Sequence, residues 1–92
     1  MHTPYFVLKI ARNNLSYNRY GFIVGKKIDK RAVGRNRLKR RFRAGVETLS
    51  HELASGYDIL FLLKKEAAEQ TTEVLWNEIR YVLDQGRTLR NL

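Results

Sequence analysis

Residues 19–43 read RYGFIVGKKIDKRAVGRNRLKRRFR, and the spacing of the apolar residues changes within this stretch. From Arg19 to Gly25 apolar and other residues alternate, which indicates a β-strand. From about Ala32 onward the apolar residues recur at helical spacing, at Leu38, Phe42, Val46, Leu49 and Leu53. This spacing predicts an amphipathic helix that runs to about Leu53 and buries one face.

The segment before this stretch predicts a second strand. Tyr5–Ala11 alternates, so that Phe6, Leu8 and Ile10 share one face and Tyr5, Val7, Lys9 and Ala11 share the other. We expect the wholly apolar set of Phe6, Leu8 and Ile10 to face the core. The set that includes Lys9 should face solvent or a ligand. A short polar turn at residues 13–16 then suggests that the two strands form an antiparallel hairpin.

The segment after the helix completes a β-β-α-β-α order. Ser55 and Gly56 end the helix, with Gly56 suited to a left-handed cap. The continuous apolar run Tyr57–Leu63 predicts a buried strand covered on both faces. A last helix begins at Thr71 or Thr72 and stops near Gly86, with an apolar stripe of Leu75, Ile79, Val82 and Leu83. We expect one domain over residues 1–92, a small α/β protein with helices packed on one sheet.

The aromatic residues fall into two groups. We expect Phe22, Phe42, Phe61, Trp76 and Tyr81 to pack in or against the core. Tyr5 and Tyr17 are the candidates for stacking on nucleic-acid bases.

Positive charge is concentrated in the first half of the chain. The 92 residues carry a net charge of +9, yet residues 1–46 sum to +12 and residues 47–92 to −3. Such segregation predicts a polyanionic partner and is not typical of charge spread for solubility. The chain has no cysteine and no apolar run long enough to cross a membrane, so we expect a cytoplasmic protein that binds no membrane.

The predicted helix collects hydrogen-bond donors on one side. At about 100° per residue, five of them share an arc of about 140° beside the apolar stripe; they are Arg35, Asn36, Lys39, Arg40 and Arg43. Like charges one turn apart repel, which favours an anion bound between them. Arginine suits phosphate, and Asn36 suits a sugar hydroxyl or a base edge. Lys26, Lys27, Lys30 and Arg31 precede the helix and extend the positive surface.

Read together, these residues resemble the protein subunit of bacterial ribonuclease P. The resemblance rests on a strand that ends in Lys26-Lys27, a short basic connection, and a helix that opens Arg35-Asn36-Arg37-Leu38-Lys39-Arg40. The later segment 58–64, DILFLLK, is similar to the following strand of the family. The likeness covers about residues 5–65.

The resemblance implies a specific fold and function. The family has a two-layer sandwich similar to ribosomal protein S5, with a left-handed βαβ crossover. It is part of a ribonucleoprotein in which RNA, with Mg²⁺ held mainly by that RNA, cleaves precursor tRNA to make the mature 5′ end. Carried over, Arg35, Asn36, Lys39, Arg40 and Arg43 would bind the catalytic RNA, supported by the basic connection. Val7, Lys9 and Tyr5 would line a cleft for the single-stranded 5′ leader.

Two features depart from the family pattern. Members usually have a further N-terminal segment with a helix before the first strand, and we expect that helix to be missing here. Lys9 stands where members often have an aromatic residue, so a phosphate contact would replace stacking.

Other functions fit the sequence less well. Intrinsic nuclease activity requires clustered carboxylates, whereas the acids here are scattered and His2 and His51 have no catalytic partners in sequence. A DNA-binding module would need a helix-turn-helix partner where strands are predicted instead, so we expect no DNA partner. A generic RNA-binding or ribosomal-type protein of similar fold, without a role in cleavage, remains the alternative. Its relative affinity for ribosomal and catalytic RNA would discriminate the two.

Overall fold

A computed structural model describes residues 1–86 of the chain. Its elements are β1 (Phe6–Arg12), β2 (Arg19–Ile23), α1 (Ala32–Leu49), β3 (Tyr57–Leu63), α2 (Lys65–Ala68) and α3 (Thr72–Gly86). The predicted β-β-α-β-α order is confirmed, with the short helix α2 added. Helix α1 ends four residues earlier than expected, since Ser50–Glu52 forms a 3₁₀ turn. The predicted stop after Gly86 falls at the boundary of the described residues, and 87–92 lie outside them.

The strands form one sheet in the order β1-β3-β2, so the predicted hairpin of β1 and β2 is wrong. Strand β3 lies between them, antiparallel to β1 and parallel to β2. The β1–β2 loop is instead attached to the start of β3. Asn18 donates to the carbonyl of Ala54 and accepts from the amide of Tyr57, while the amide of Asn13 donates to Gly56. These contacts carry the loop past β3 and outweigh the local preference for a tight turn.

Two residues in the turns have a positive φ, and one of them, Gly56, was predicted to. Asn14 has a φ of 59°, a left-handed conformation that asparagine tolerates in turns. Gly56 has a φ of 97°, so its left-handed conformation is confirmed. Its predicted role as the helix cap is wrong, because α1 ends at Leu49, the 3₁₀ turn ends at Glu52, and Gly56 directly precedes β3. Parallel β2 and β3 are joined through α1, which is the crossover that the resemblance implies. The left hand of that crossover stays a prediction.

The core lies between the helices and one face of the sheet. Phe61 of β3 is fully buried at its centre, with ring centroids 5.3 Å from Phe6, 5.3 Å from Phe22 and 6.0 Å from Phe42. The inward positions predicted for β1 and α1 are confirmed. Among the aromatic predictions Tyr81 is wrong, because 61% of it is exposed on the outer side of α3.

The second face of the sheet is open. Along β3 buried residues alternate with half-buried ones, and Asp58, Leu60 and Leu62 are the half-buried set. The prediction that β3 is covered on both faces is therefore wrong. Its outer leucines are sheltered within the sheet by cross-strand neighbours, Lys9 beside Leu60 and Val7 beside Leu62, and need no second helix layer. The result is a two-layer sandwich of sheet and helices.

Helices α1 and α3 approach closely at one glycine. A Cβ atom on Gly45 would lie 2.7 Å from the Trp76 ring, so a larger residue there would force the two helices apart. The indole Nε1 of Trp76 donates to the carbonyl of Arg41 at 2.9 Å. The guanidinium of Arg41 in turn donates to the carbonyl of Gln70 and the hydroxyl of Thr72. Arg41 is thus used to hold α1 to the start of α3.

Candidate nucleic-acid interface

Four side chains of α1 form a continuous row of hydrogen-bond donors, hereafter the donor row: Asn36, Lys39, Arg40 and Arg43. Together with Val33 they line a shallow, open depression of about 430 Å³ on the helix surface. Spacings of three and four residues place them on one side of the helix. The structure therefore brings together four of the five donors that the sequence predicts on this arc.

The donor row is not neutralised by the acids of the described chain. Among the side chains of residues 1–83 the ion pairs are Arg19–Asp58, Arg31–Asp29 and Arg80–Glu52, and none includes a member of the row. Arg40 and Arg43 are exposed and Lys39 is half-buried. The guanidinium of Arg43 lies 5.0 Å from the centroid of the Phe22 ring, a cation–π contact that limits its motion. The row is a cationic surface held on a rigid helix.

Arg35 lies apart from the donor row. Its Nη1 donates to the carbonyls of Asp29 and Lys30, both at 3.0 Å, and the residue is half-buried. Arg35 stands in the first turn, and helical side chains point back toward the N-terminus, so its guanidinium reaches the preceding loop. Arg35 keeps the predicted helical position one turn before Lys39, but its guanidinium is engaged by the loop and is not part of the donor row. RNA binding by this residue stays a prediction.

The connection before α1 presents three exposed lysines and one paired arginine. Lys26, Lys27 and Lys30 are exposed. Arg31 donates from its backbone amide to Asp29 at 2.9 Å and from Nε at 3.3 Å. The side-chain bond from Arg31, followed by the backbone bond, lowers the pKa of Asp29. Asp29 therefore offsets the Arg31 charge, and most of the loop's positive field comes from the lysines.

Gly34 allows this loop to fold against the helix. A Cβ atom at this position would overlap the carboxylate of Asp29. Beyond the loop, Arg37 lines a separate depression on another side of α1 with Val24, Ile28 and Leu38. Arg37 and Arg41 thus point away from the donor row, as the helical angles predict.

The predicted leader cleft corresponds to the open face of the sheet. Val7 and Lys9 lie on this face, with Lys9 exposed and Val7 half-buried beside Leu62. Ile23 lies on the same face and is 49% exposed, which leaves apolar surface that a base could cover. Tyr5 instead precedes β1 and packs against the core, so its predicted place on this face is wrong. Tyr17 is exposed in the β1–β2 loop.

Sequence analysis missed one polar pair on the open face. The Nε and Nη2 atoms of Arg19 donate to the two carboxylate oxygens of Asp58, each at 2.7 Å, and Asn13 donates to the same carboxylate at 3.1 Å. The bond from Arg19, then that from Asn13, lowers the pKa of Asp58. The alternation of β2 places Arg19 on this face, but its pairing with Asp58 requires the β2–β3 register.

Two classes of site have no candidate in the described part of the chain. Within residues 1–83 no three histidine or acidic side chains lie close enough together to hold a metal ion. Over the same residues, no helix combines the length and the apolar character needed to cross a bilayer.

Comparison with known proteins places the geometry in a family. The sequence profile of the family "Ribonuclease P" matches residues 1–86. A ribonuclease P protein component from Fusobacterium nucleatum is 33% identical over 87 residues, covering 95% of this chain and 76% of that protein. Another from Dehalococcoides mccartyi is 35% identical over 86 residues, covering 94% of this chain and 69% of that protein.

Solved structures agree with the sequence comparisons. The RNase P protein of Thermotoga maritima superposes with a TM-score of 0.82 at 25% identity, covering 92% of this chain and 80% of that one. The RNase P protein of Staphylococcus aureus gives a TM-score of 0.83 at 26% identity, covering 95% and 79%. These likenesses confirm the sandwich fold, and with the profile match they show that the chain belongs to the family of bacterial ribonuclease P protein components.

Proposed function

We propose that this chain is the protein subunit of a ribonuclease P ribonucleoprotein and promotes 5′ maturation of precursor tRNA. The donor row and the lysines of the loop would bind the catalytic RNA. The open face of the sheet would bind the single-stranded 5′ leader. The observation that carries the proposal is the donor row, three cations and an amide on one side of α1 with no acid of residues 1–83 paired to them.

Like charges repel one another within the donor row. Lys39 and Arg43 are four residues apart and Arg40 and Arg43 are three apart, so like charges are held within one helical turn. A phosphate backbone laid along the row relieves this repulsion and releases condensed counterions. Guanidinium groups can bond two phosphate oxygens at once, while Asn36 can donate to and accept from a ribose hydroxyl. The row thus suits RNA better than a single small anion.

The open face supports the leader assignment by a different chemistry. It combines an apolar surface at Val7, Leu62 and Ile23 with the cation of Lys9. Single-stranded nucleic acid is bound by such combinations, in which bases cover apolar or aromatic surface and cations contact the backbone. With lysine at position 9, the contact is to phosphate rather than a stacked ring.

In this proposal the protein supplies binding and the RNA supplies the chemistry. The side chains of residues 1–83 form no histidine or acidic cluster suited to a metal ion. Mg²⁺ would be bound mainly by the catalytic RNA, where it would activate water for attack on the phosphodiester. The protein would stabilise the complex of that RNA with precursor tRNA by adding cationic contacts. We place this activity in the cytoplasm.

Reconstitution tests the proposal. A 5′-labelled precursor tRNA is incubated with a bacterial ribonuclease P RNA at low Mg²⁺, with and without the protein. We expect cleavage to rise when the protein is added and to be absent with protein alone. The Arg40→Ala variant should stimulate less than wild type. Unchanged cleavage on addition of wild-type protein would refute the proposal, and equal affinity for ribosomal RNA would favour a general RNA-binding role.

A further inference from the structure

The open face of the sheet is organised in three cross-strand rows. The strand register aligns Val7, Leu62 and Ile23 in an apolar row and Lys9, Leu60 and Gly21 in a lysine row. The third, the paired row, contains Ala11, Asp58 and Arg19. Lysine and paired rows are two residues apart along the strands, a distance of roughly 7 Å. The face therefore changes from apolar to cationic to an ion pair along its length.

In the paired row the charge of Arg19 is neutralised by Asp58. Arg19 uses both Nε and Nη2 on Asp58, and Asn13 holds the same carboxylate from the β1–β2 loop. The side chains of Arg19 and Asp58 are 58% and 42% exposed, so the pair lies at the surface that RNA would cover. An exposed ion pair contributes little to stability. The register of β2 on β3 is already held by the backbone ladder. The main effect of the pair is thus on the charge that this end of the sheet presents.

We propose that Asp58 is a specificity residue that withholds the Arg19 guanidinium from RNA, so that leader contacts end at the lysine row. This inference rests on the proposed binding of the leader to the open face. An RNA strand that crosses the sheet meets Lys9 and then a neutral pair, which attracts the next phosphate only weakly. Since bonding to Arg19 lowers the pKa of Asp58, the carboxylate stays ionised at neutral pH and the masking persists.

Removing the acid should expose the cation. Asp58→Asn keeps the shape of the side chain but releases Arg19 to contact one more phosphate of a long leader. For single strands each phosphate contact adds about 0.7 to the magnitude of the slope of log affinity against log salt concentration. With 1 M salt as the reference, one added contact therefore raises the affinity at 0.1 M salt about fivefold. The gain should appear only with leaders long enough to reach the paired row.

Two variants serve as matched controls. Glu52→Gln makes the same charge change at an acid that pairs with Arg80, away from the sheet face. It should leave leader affinity unchanged. Arg19→Gln combined with Asp58→Asn removes the released cation and should abolish the gain. If Asp58→Asn does not fold, as judged by circular dichroism, Asp58→Ser tests the same point.

The experiment measures binding of precursor tRNAs with no leader, a short leader or a long leader to the reconstituted holoenzyme. Expected is a leader-length-dependent gain of about fivefold for Asp58→Asn, with a salt slope steeper by about 0.7. Equal affinities for Asp58→Asn and Glu52→Gln would overturn the masking role while leaving the proposed function intact. If the affinity of the wild-type holoenzyme does not depend on leader length at all, both the masking role and the proposed binding of the leader to the open face are overturned.

Discussion

Replacing Arg40 by alanine tests the donor row with the least disturbance of the fold. Arg40 is exposed, and its side chain makes no hydrogen bond or ion pair with the side chains of residues 1–83. Arg43 is a less clean target because it covers the Phe22 ring. Alanine also favours the helix, so Arg40→Ala should leave the free energy of unfolding within about 0.5 kcal/mol of wild type.

The expected loss of RNA affinity follows from one phosphate contact. Each contact contributes about 0.7 to the log–log salt slope for single strands and about 0.9 for duplexes. With 1 M salt as the reference, the loss of one contact raises Kd at 0.1 M salt about five- to eightfold, or by about 1 kcal/mol of binding free energy. If six phosphates are contacted in all, the wild-type slope is roughly −4 to −5 and that of the variant is smaller in magnitude by about 0.7–0.9.

Titrations of fluorescently labelled catalytic RNA at several salt concentrations give the Kd and the slope of its salt dependence. The matched control is Arg37→Ala, an exposed arginine of the same helix that points away from the donor row. It should keep the wild-type slope. Equal losses for the two variants would show that binding follows net charge and not the row. A wild-type slope near zero would contradict a phosphate-driven interface altogether, and unfolding of Arg40→Ala would assign that residue to the fold.

Three further predictions concern the fold. Phe61→Ala removes the ring on which three other aromatic rings converge and should lower the free energy of unfolding in urea by about 3–5 kcal/mol, so a loss below about 1 kcal/mol would contradict its central place in the core. Arg41→Ala removes the bonds to the α2–α3 connection and should lower that free energy by about 1–3 kcal/mol while the salt slope of RNA binding is unchanged; a smaller slope would place Arg41 in the interface. The pKa of Asp58 is lower in the folded state than in the unfolded chain, so its contribution is complete above about pH 4 and is lost as the pH falls through the folded value. The Tm of Asp58→Asn should therefore fall less steeply on acidification than that of wild type, and parallel curves would exclude this contribution.

The successes of sequence analysis share a local origin. The inward faces of β1 and α1 and four members of the predicted donor arc all follow from side-chain direction within a single element. Those directions repeat every two residues in a strand and every 3.6 in a helix, whatever the rest of the chain does. The charge imbalance between the two halves is likewise a property of composition.

The errors share a different origin. The hairpin of β1 and β2 was the local expectation, yet β3 takes the central position. Placing the most apolar strand in the middle pairs both of its edges and buries one of its faces. The strand order depends on the free energy of the whole fold, so it cannot be predicted from one segment. The exposed Tyr81 and the half-buried Tyr5 are of the same kind, since each depends on which neighbour the fold supplies.

Periodicity and composition by themselves determined the types of element, the buried stripe of α1 and the cationic row beside it. Only the tertiary structure decided the strand order, the open face of the sheet, the use of Arg35 to hold the loop and the pairing of Arg19 with Asp58. The physical reason is distance along the chain. Arg19 and Asp58 are 39 residues apart, and they meet only because α1 carries the chain back to lay β3 parallel to β2.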